Sequence, residues 1–119
     1  AKRIRTGNKR FGYWIVESKS DGAFIGWMAL KPLEQTKMIE VGYRFMEEQW
    51  GKGYATEGTQ RLLRYAFEDL KLEEVVAVAM EENKASTRVM EKAGMAFQGY
   101  DRFYNTEVVI YKVRRVDFL

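Results

Sequence analysis

The chain has 119 residues, 46% of them hydrophobic, with a single proline and 20 basic residues against 17 acidic ones, a net charge of +3. That length holds one domain with a real core, and the mild charge supports at most a preference for an anionic ligand. Zero cysteines and zero histidines exclude disulfides, an ordinary zinc site and any Cys or His nucleophile or base, so acid–base work falls to carboxylates, Tyr, Ser, Lys or water.

Residues Ala1–Arg10 are basic around a lone Ile4 and have no clear period, which leaves a helix tail or a loose arm. Phe11–Ser18 alternates aromatic and β-branched residues, Lys19-Ser20-Asp21-Gly22 is a turn, and Ala23–Leu30 is a second apolar run. Together they predict a β-hairpin. Pro32–Lys37 is a polar connection. Met38–Phe45 is a third strand, with Ile39, Val41, Tyr43 and Phe45 on one face and Met38, Glu40, Gly42 and Arg44 on the other.

Next comes Gln49-Trp50-Gly51-Lys52-Gly53-Tyr54-Ala55-Thr56-Glu57. Two glycines permit backbone conformations that a side chain forbids, and the turn opens a helix whose first N–H groups and dipole favour an anion. Strand, glycine turn and helix therefore form a candidate phosphate cradle, with Lys52 as a cation beside it. The spacing matches neither the phosphate loop of nucleotide hydrolases nor the dinucleotide fingerprint, and a turn used only for its conformation remains the alternative.

In the helix Tyr54–Leu70, Leu62, Leu63, Ala66, Phe67 and Leu70 recur at helical spacing, while Arg61, Arg64 and Glu68 face outward. Gly58 inside it costs about 1 kcal/mol relative to alanine and implies that a neighbour needs the room. Glu74–Met80 holds the run Val75-Val76-Ala77-Val78, so strand, helix and strand make a crossover between two parallel strands. Asn83 caps a short helix that Gly94 ends. Met95–Phe103 and Thr106–Val116 are two antiparallel strands joined through Tyr104-Asn105.

The strand Ile39-Glu40-Val41-Gly42-Tyr43, the turn Trp50-Gly51-Lys52-Gly53-Tyr54-Ala55-Thr56-Glu57, and Asn83-x-x-Ser86 followed by Glu91-Lys92-Ala93-Gly94-Met95 resemble the GNAT superfamily of acetyl-CoA-dependent N-acetyltransferases. Within it they resemble the subgroup that includes ribosomal-protein N-terminal acetyltransferases. The resemblance runs in order from about Phe11 to the C-terminus. It implies an α/β fold: a mostly antiparallel mixed sheet with a splayed parallel strand pair and a helix after the pyrophosphate turn, forming a single domain over residues 1–119.

It further implies that acetyl-CoA is the acyl donor and that its pantetheine arm lies between Met38–Phe45 and Val75–Met80. The pyrophosphate would lie on main-chain N–H groups of the turn: Gly51, Lys52, Gly53, Tyr54, Ala55 and Thr56. A backbone N–H near Tyr43 or Arg44, in the stretch that includes Phe45, would polarise the thioester carbonyl. Asn83 and Ser86 would bond the cofactor arm. Glu40 stands at the family's usual base position and would deprotonate a primary-amine acceptor, directly or through water; as a bare sequence reading it is also an ordinary solvent-face strand residue. Many members carry a tyrosine acid where this chain has Met90, so the proton donor for the thiolate is open among Ser86, Tyr100, Tyr104 and water. No metal is implied.

Family members usually begin with a strand and two helices where this chain has Ala1–Arg10, which suggests a shortened form or a wall supplied by a second copy. The expected state is a homodimer, with Tyr13, Trp14, Ile15, Phe24 and Trp27 as apolar surface. No apolar run approaches the ~20 residues of a membrane span, and no signal-peptide pattern follows the N-terminus, so the expected location is cytoplasmic and no membrane partner is implied. A non-catalytic acyl-CoA-binding module and a small nucleic-acid-binding domain are the competing functions. The second is disfavoured because the basic residues are scattered among acids and no RNP-like or helix-turn-helix pattern occurs.

Overall fold

Apolar–polar alternation along the N-terminal half builds an antiparallel meander, and the apolar helix stripe that follows covers one of its faces. A computed structural model describes residues 2–6, 11–46, 51 and 53–119 of the chain. The strands are β1 (Lys2–Thr6), β2 (Gly12–Ser18), β3 (Phe24–Pro32), β4 (Ile39–Phe45), β5 (Glu74–Ala79), β6 (Ala96–Phe103) and β7 (Thr106–Arg114). Helix α1 (Tyr54–Arg64) links β4 to β5 and continues into a wider π-type turn over Tyr65–Asp69, α2 (Lys84–Lys92) links β5 to β6, and α3 (Arg115–Phe118) follows β7.

One seven-stranded sheet runs in the order β1-β2-β3-β4-β5-β7-β6. Its described neighbours are antiparallel except β4 and β5, which are parallel. The mixed sheet and its parallel pair agree with the expected fold. Two expectations are corrected. The basic N-terminus is neither a helix tail nor a loose arm over residues 2–6, because β1 pairs with β2 from Lys2↔Ser18 to Thr6↔Trp14; β2 is thus an inner strand. The last strand stops at Arg114, and Arg115–Phe118 turns into a short helix.

Trp14 and Val16 of β2 point inward with Met28, Leu30, Val41 and Phe45, and meet Leu62, Leu63, Ala66 and Phe67 of the α1 segment. Trp14 is therefore core, its ring edge-on to Tyr65 at 5.7 Å, and it does not contribute to the exposed patch. Tyr13, Ile15, Phe24 and Trp27 are exposed. The other face carries a smaller cluster of Leu33, Val76, Phe103 and Val108. At Gly58 the sheet and α1 come close: a Cβ there would lie 2.6 Å from Met28 Sδ, which explains a glycine inside a helix.

Helix α2 is bounded as its sequence predicts. The Asn83 side chain accepts from Ser86 N–H at 3.2 Å. At the other end Gly94 takes φ +99°, and Met95 N–H and Gly94 N–H donate to the Met90 and Glu91 carbonyls, satisfying the last helical acceptors. The β6–β7 hairpin turns on Tyr104 and Asn105 at φ 55° and 60°, the left-handed pair that a two-residue I′ turn requires.

Candidate active site

The parallel pair is joined at one register position, Glu40↔Val76. Past it β4 continues to Phe45, fully paired with β3 on its other side, while no further register pair joins it to β5. The strands thus diverge from Glu40 onward, and main-chain groups bordering the gap lose the ladder partner a regular sheet would supply.

Glu40 sits at the vertex of this gap, on the face away from α1 and α2, and is only 6% exposed. It is not a solvent-face residue. Its Oε2 accepts a hydrogen bond from the Tyr104 hydroxyl and lies 3.7 Å from Lys31 Nζ, which also donates to the Tyr104 hydroxyl at 3.1 Å. Burial pulls the Lys31 ammonium down, but the Tyr104 bond and the Glu40 charge outweigh it, and the group titrates above its ordinary range. Burial and the adjacent Glu40 carboxylate push the Tyr104 phenol up.

On the helix face of the gap, the Tyr43 hydroxyl donates to Ser86 Oγ at 3.3 Å, and Ser86 is fixed by its backbone bond to Asn83. Burial holds the Tyr43 phenol above its usual range despite that bond. Three of the expected residues, Tyr43, Asn83 and Ser86, are therefore brought together. Phe45 is buried and packs on the Tyr43 ring at 5.5 Å. Arg44 is exposed opposite Trp27. Met90 is buried in the core and carries no exchangeable proton.

Gly51 and Gly53 adopt φ +79° and +81°, and a Cβ at either would meet none of the described residues within 4 Å. Gly53 is the N-cap of α1 and no side chain caps it; the first intrahelical bond is Glu57 N–H to the Gly53 carbonyl. The N–H groups of Tyr54, Ala55 and Thr56 precede that bond and lie at the positive end of the helix dipole. An anion approaching this turn meets open space and unsatisfied donors, so these residues fit a pyrophosphate. Lys52, Gln49 and Trp50 lie outside the described residues.

Among the described residues no group of three or more His, Cys, Asp and Glu side chains is placed to hold a metal, and no helix is long and apolar enough to cross a membrane. Tyr104 and Lys31 as partners of Glu40 are what a reading of the sequence does not supply, since Tyr104 is 64 positions away. The nearest signal is the unusual Tyr-Asn hairpin turn.

The family model of the GNAT acetyltransferase domain matches residues 1–96. The chain is 36% identical over 101 residues to the uncharacterized protein YkkB of Bacillus subtilis, covering 83% of this chain and 59% of that one. It is 38% identical over 103 residues to an FsC-acetyl coenzyme A-N(2)-transacetylase of Aspergillus fumigatus, covering 80% and 42%. The fold superposes on a GNAT-family acetyltransferase from Bacillus anthracis with a TM-score of 0.78 at 28% identity, covering 87% of this chain and 66% of that one. The chain thus spans about half the length of the curated relatives it matches. With an uncapped glycine turn, a parallel strand pair that parts at a buried glutamate, and a family match across most of its length, this chain belongs to the GNAT acetyltransferase family.

Proposed function

We propose that the protein transfers an acetyl group from acetyl-CoA to a primary amine, such as a protein N-terminus, an amino acid, a polyamine or another small amine. The observation that carries this reading is the buried Glu40 carboxylate at the point where β4 and β5 separate. A buried anion on a strand is costly unless it serves a purpose or is compensated.

Bound at the turn, acetyl-CoA would supply the acetyl thioester. Gly51, Gly53, Tyr54, Ala55 and Thr56 hold the pyrophosphate through main-chain N–H groups, with Lys52 assigned to the same turn. Asn83 and Ser86 bond the arm in the gap. A backbone N–H in Tyr43–Phe45 polarises the carbonyl, Arg44 included. Glu40 takes the acceptor's proton, directly or through a water, because only a neutral amine has the lone pair to attack. Ser86, with Tyr43 behind it, returns a proton to the leaving sulfur. The domain works as one unit over residues 1–119, as a homodimer in the cytoplasm.

Thiol release from acetyl-CoA with a panel of amines tests this, the expected outcome being acceptor-dependent release. Tight acetyl-CoA binding with no turnover on any amine would leave a non-catalytic binding module instead.

A further inference from the structure

The Tyr104 hydroxyl and the Lys31 ammonium both meet the Glu40 carboxylate on one oxygen, Oε2. The other oxygen, Oε1, has no part in either. We propose that Tyr104 and Lys31 are positioning residues that pin Oε2, so that Oε1 is the atom presented to the acceptor amine. The inference rests on Glu40 as the base and adds what makes it one.

Three features support it. Tyr104 holds a left-handed backbone, φ 55°, which is uncommon for a bulky residue and is retained where surroundings enforce it. Here the enforcement comes from the β3–β4 turn: Tyr104 N–H donates to Glu34 Oε1 at 2.8 Å, and Glu34 N–H donates to the Tyr104 hydroxyl at 3.4 Å. The β6–β7 turn is thus tied to the β3–β4 turn across the carboxylate. Lys31 is the direct cross-strand partner of Glu40, so its ammonium is delivered by register and needs no long reach.

A phenol donor and an ammonium on one oxygen hold the carboxylate in one orientation while leaving the second oxygen to work. The proton lost by the acceptor nitrogen then arrives on Oε1 and leaves to solvent after the product departs. Lys31 from β3 and Tyr104 from the β6–β7 turn meet the Glu40 carboxylate, Glu34 from the β3–β4 turn bonds Tyr104, and the register partner of Glu40 on β5 is Val76. Farther along that face, Lys112 of β7 is engaged with Glu74 at 3.5 Å.

The test has two arms. Alkaline absorbance titration needs no acceptor: the tyrosine component missing in Tyr104→Phe should titrate above the ordinary range in the wild type and fall back in Glu40→Gln. The second arm is the pH profile of kcat/KM, with an alanyl tripeptide and spermidine as probe amines. Tyr104→Phe and Lys31→Met should each lower kcat/KM about tenfold at neutral pH. Acetyl-CoA affinity should hold within twofold, and Lys31→Arg should restore most of the rate. A Tyr104→Phe protein with the wild-type rate and profile, beside an inactive Glu40→Gln, would overturn the inference alone. Full activity in Glu40→Gln would overturn it together with the base assignment.

Discussion

Glu40 concentrates the chemistry in one side chain, and its replacement separates catalysis from binding. Glu40→Gln keeps the shape and removes the proton acceptor, so turnover at neutral pH should fall about 100-fold or more while acetyl-CoA affinity stays nearly intact; a normal rate at neutral pH would sink the assignment. The phenols nearby make a second prediction. Tyr43 and Tyr104 both titrate above their ordinary value of about 10 in the folded chain, burial being the first cause in each. For an acid raised by folding, the stability it contributes is fully present below the unfolded value and drains away as pH rises through the folded one. Urea melts above pH ~10 should therefore show wild-type stability declining more steeply than that of Tyr104→Phe. Parallel declines would mean the phenol is not coupled to the fold. Strand alternation correctly put Glu40 opposite Ile39 and Val41, but alternation says nothing about what covers a face, and its cover comes from a turn 64 residues on.

At the scale of elements, the α1 start and middle answer to different demands. Gly53→Val asks a β-branched residue to hold φ +81° and places methyls where an anion would approach, so acetyl-CoA affinity should drop at least ~10-fold, with about 1–2 kcal/mol of stability lost. A folded variant with unchanged affinity would show that the cradle is elsewhere. One turn further in, the Thr59 hydroxyl is buried and has no partner among the described residues. Thr59→Val keeps the volume and removes an unsatisfied polar atom, which should raise stability by about 1 kcal/mol in a thermal melt; a loss would point to a bond the static structure does not hold. The helices and inner strands were legible because each buries a periodic apolar stripe: Leu62, Leu63, Ala66 and Phe67 in α1, Trp14 and Val16 in β2. β1 was not, since Ile4 stands among charges and the strand exists by pairing with β2. Nor was α3, whose four residues Arg115–Phe118 are too few to show a helical period.

Across the whole molecule, β1 lies on the edge that β2 would otherwise expose, so the case for a second copy moves from the edge to the face. Tyr13, Ile15, Phe24 and Trp27 are each 45% exposed or more. Exposed apolar side chains on paired strands favour a partner, and a specific one would bury at least ~1,000 Å² in total. Light scattering at micromolar concentration should show a dimer; a monodisperse monomer with full acetyl transfer would show that one copy suffices. The link from Tyr104 to Glu40 carries a different consequence, for the order in which the chain is made. The first four strands pair with sequence neighbours, and such local contacts form early and fast. Glu40 is therefore synthesised long before the hairpin that steadies it, and a chain still emerging from the ribosome can hold a formed meander with an unsupported carboxylate. The hydroxyl that meets Glu40 reaches it only when the β6–β7 hairpin docks.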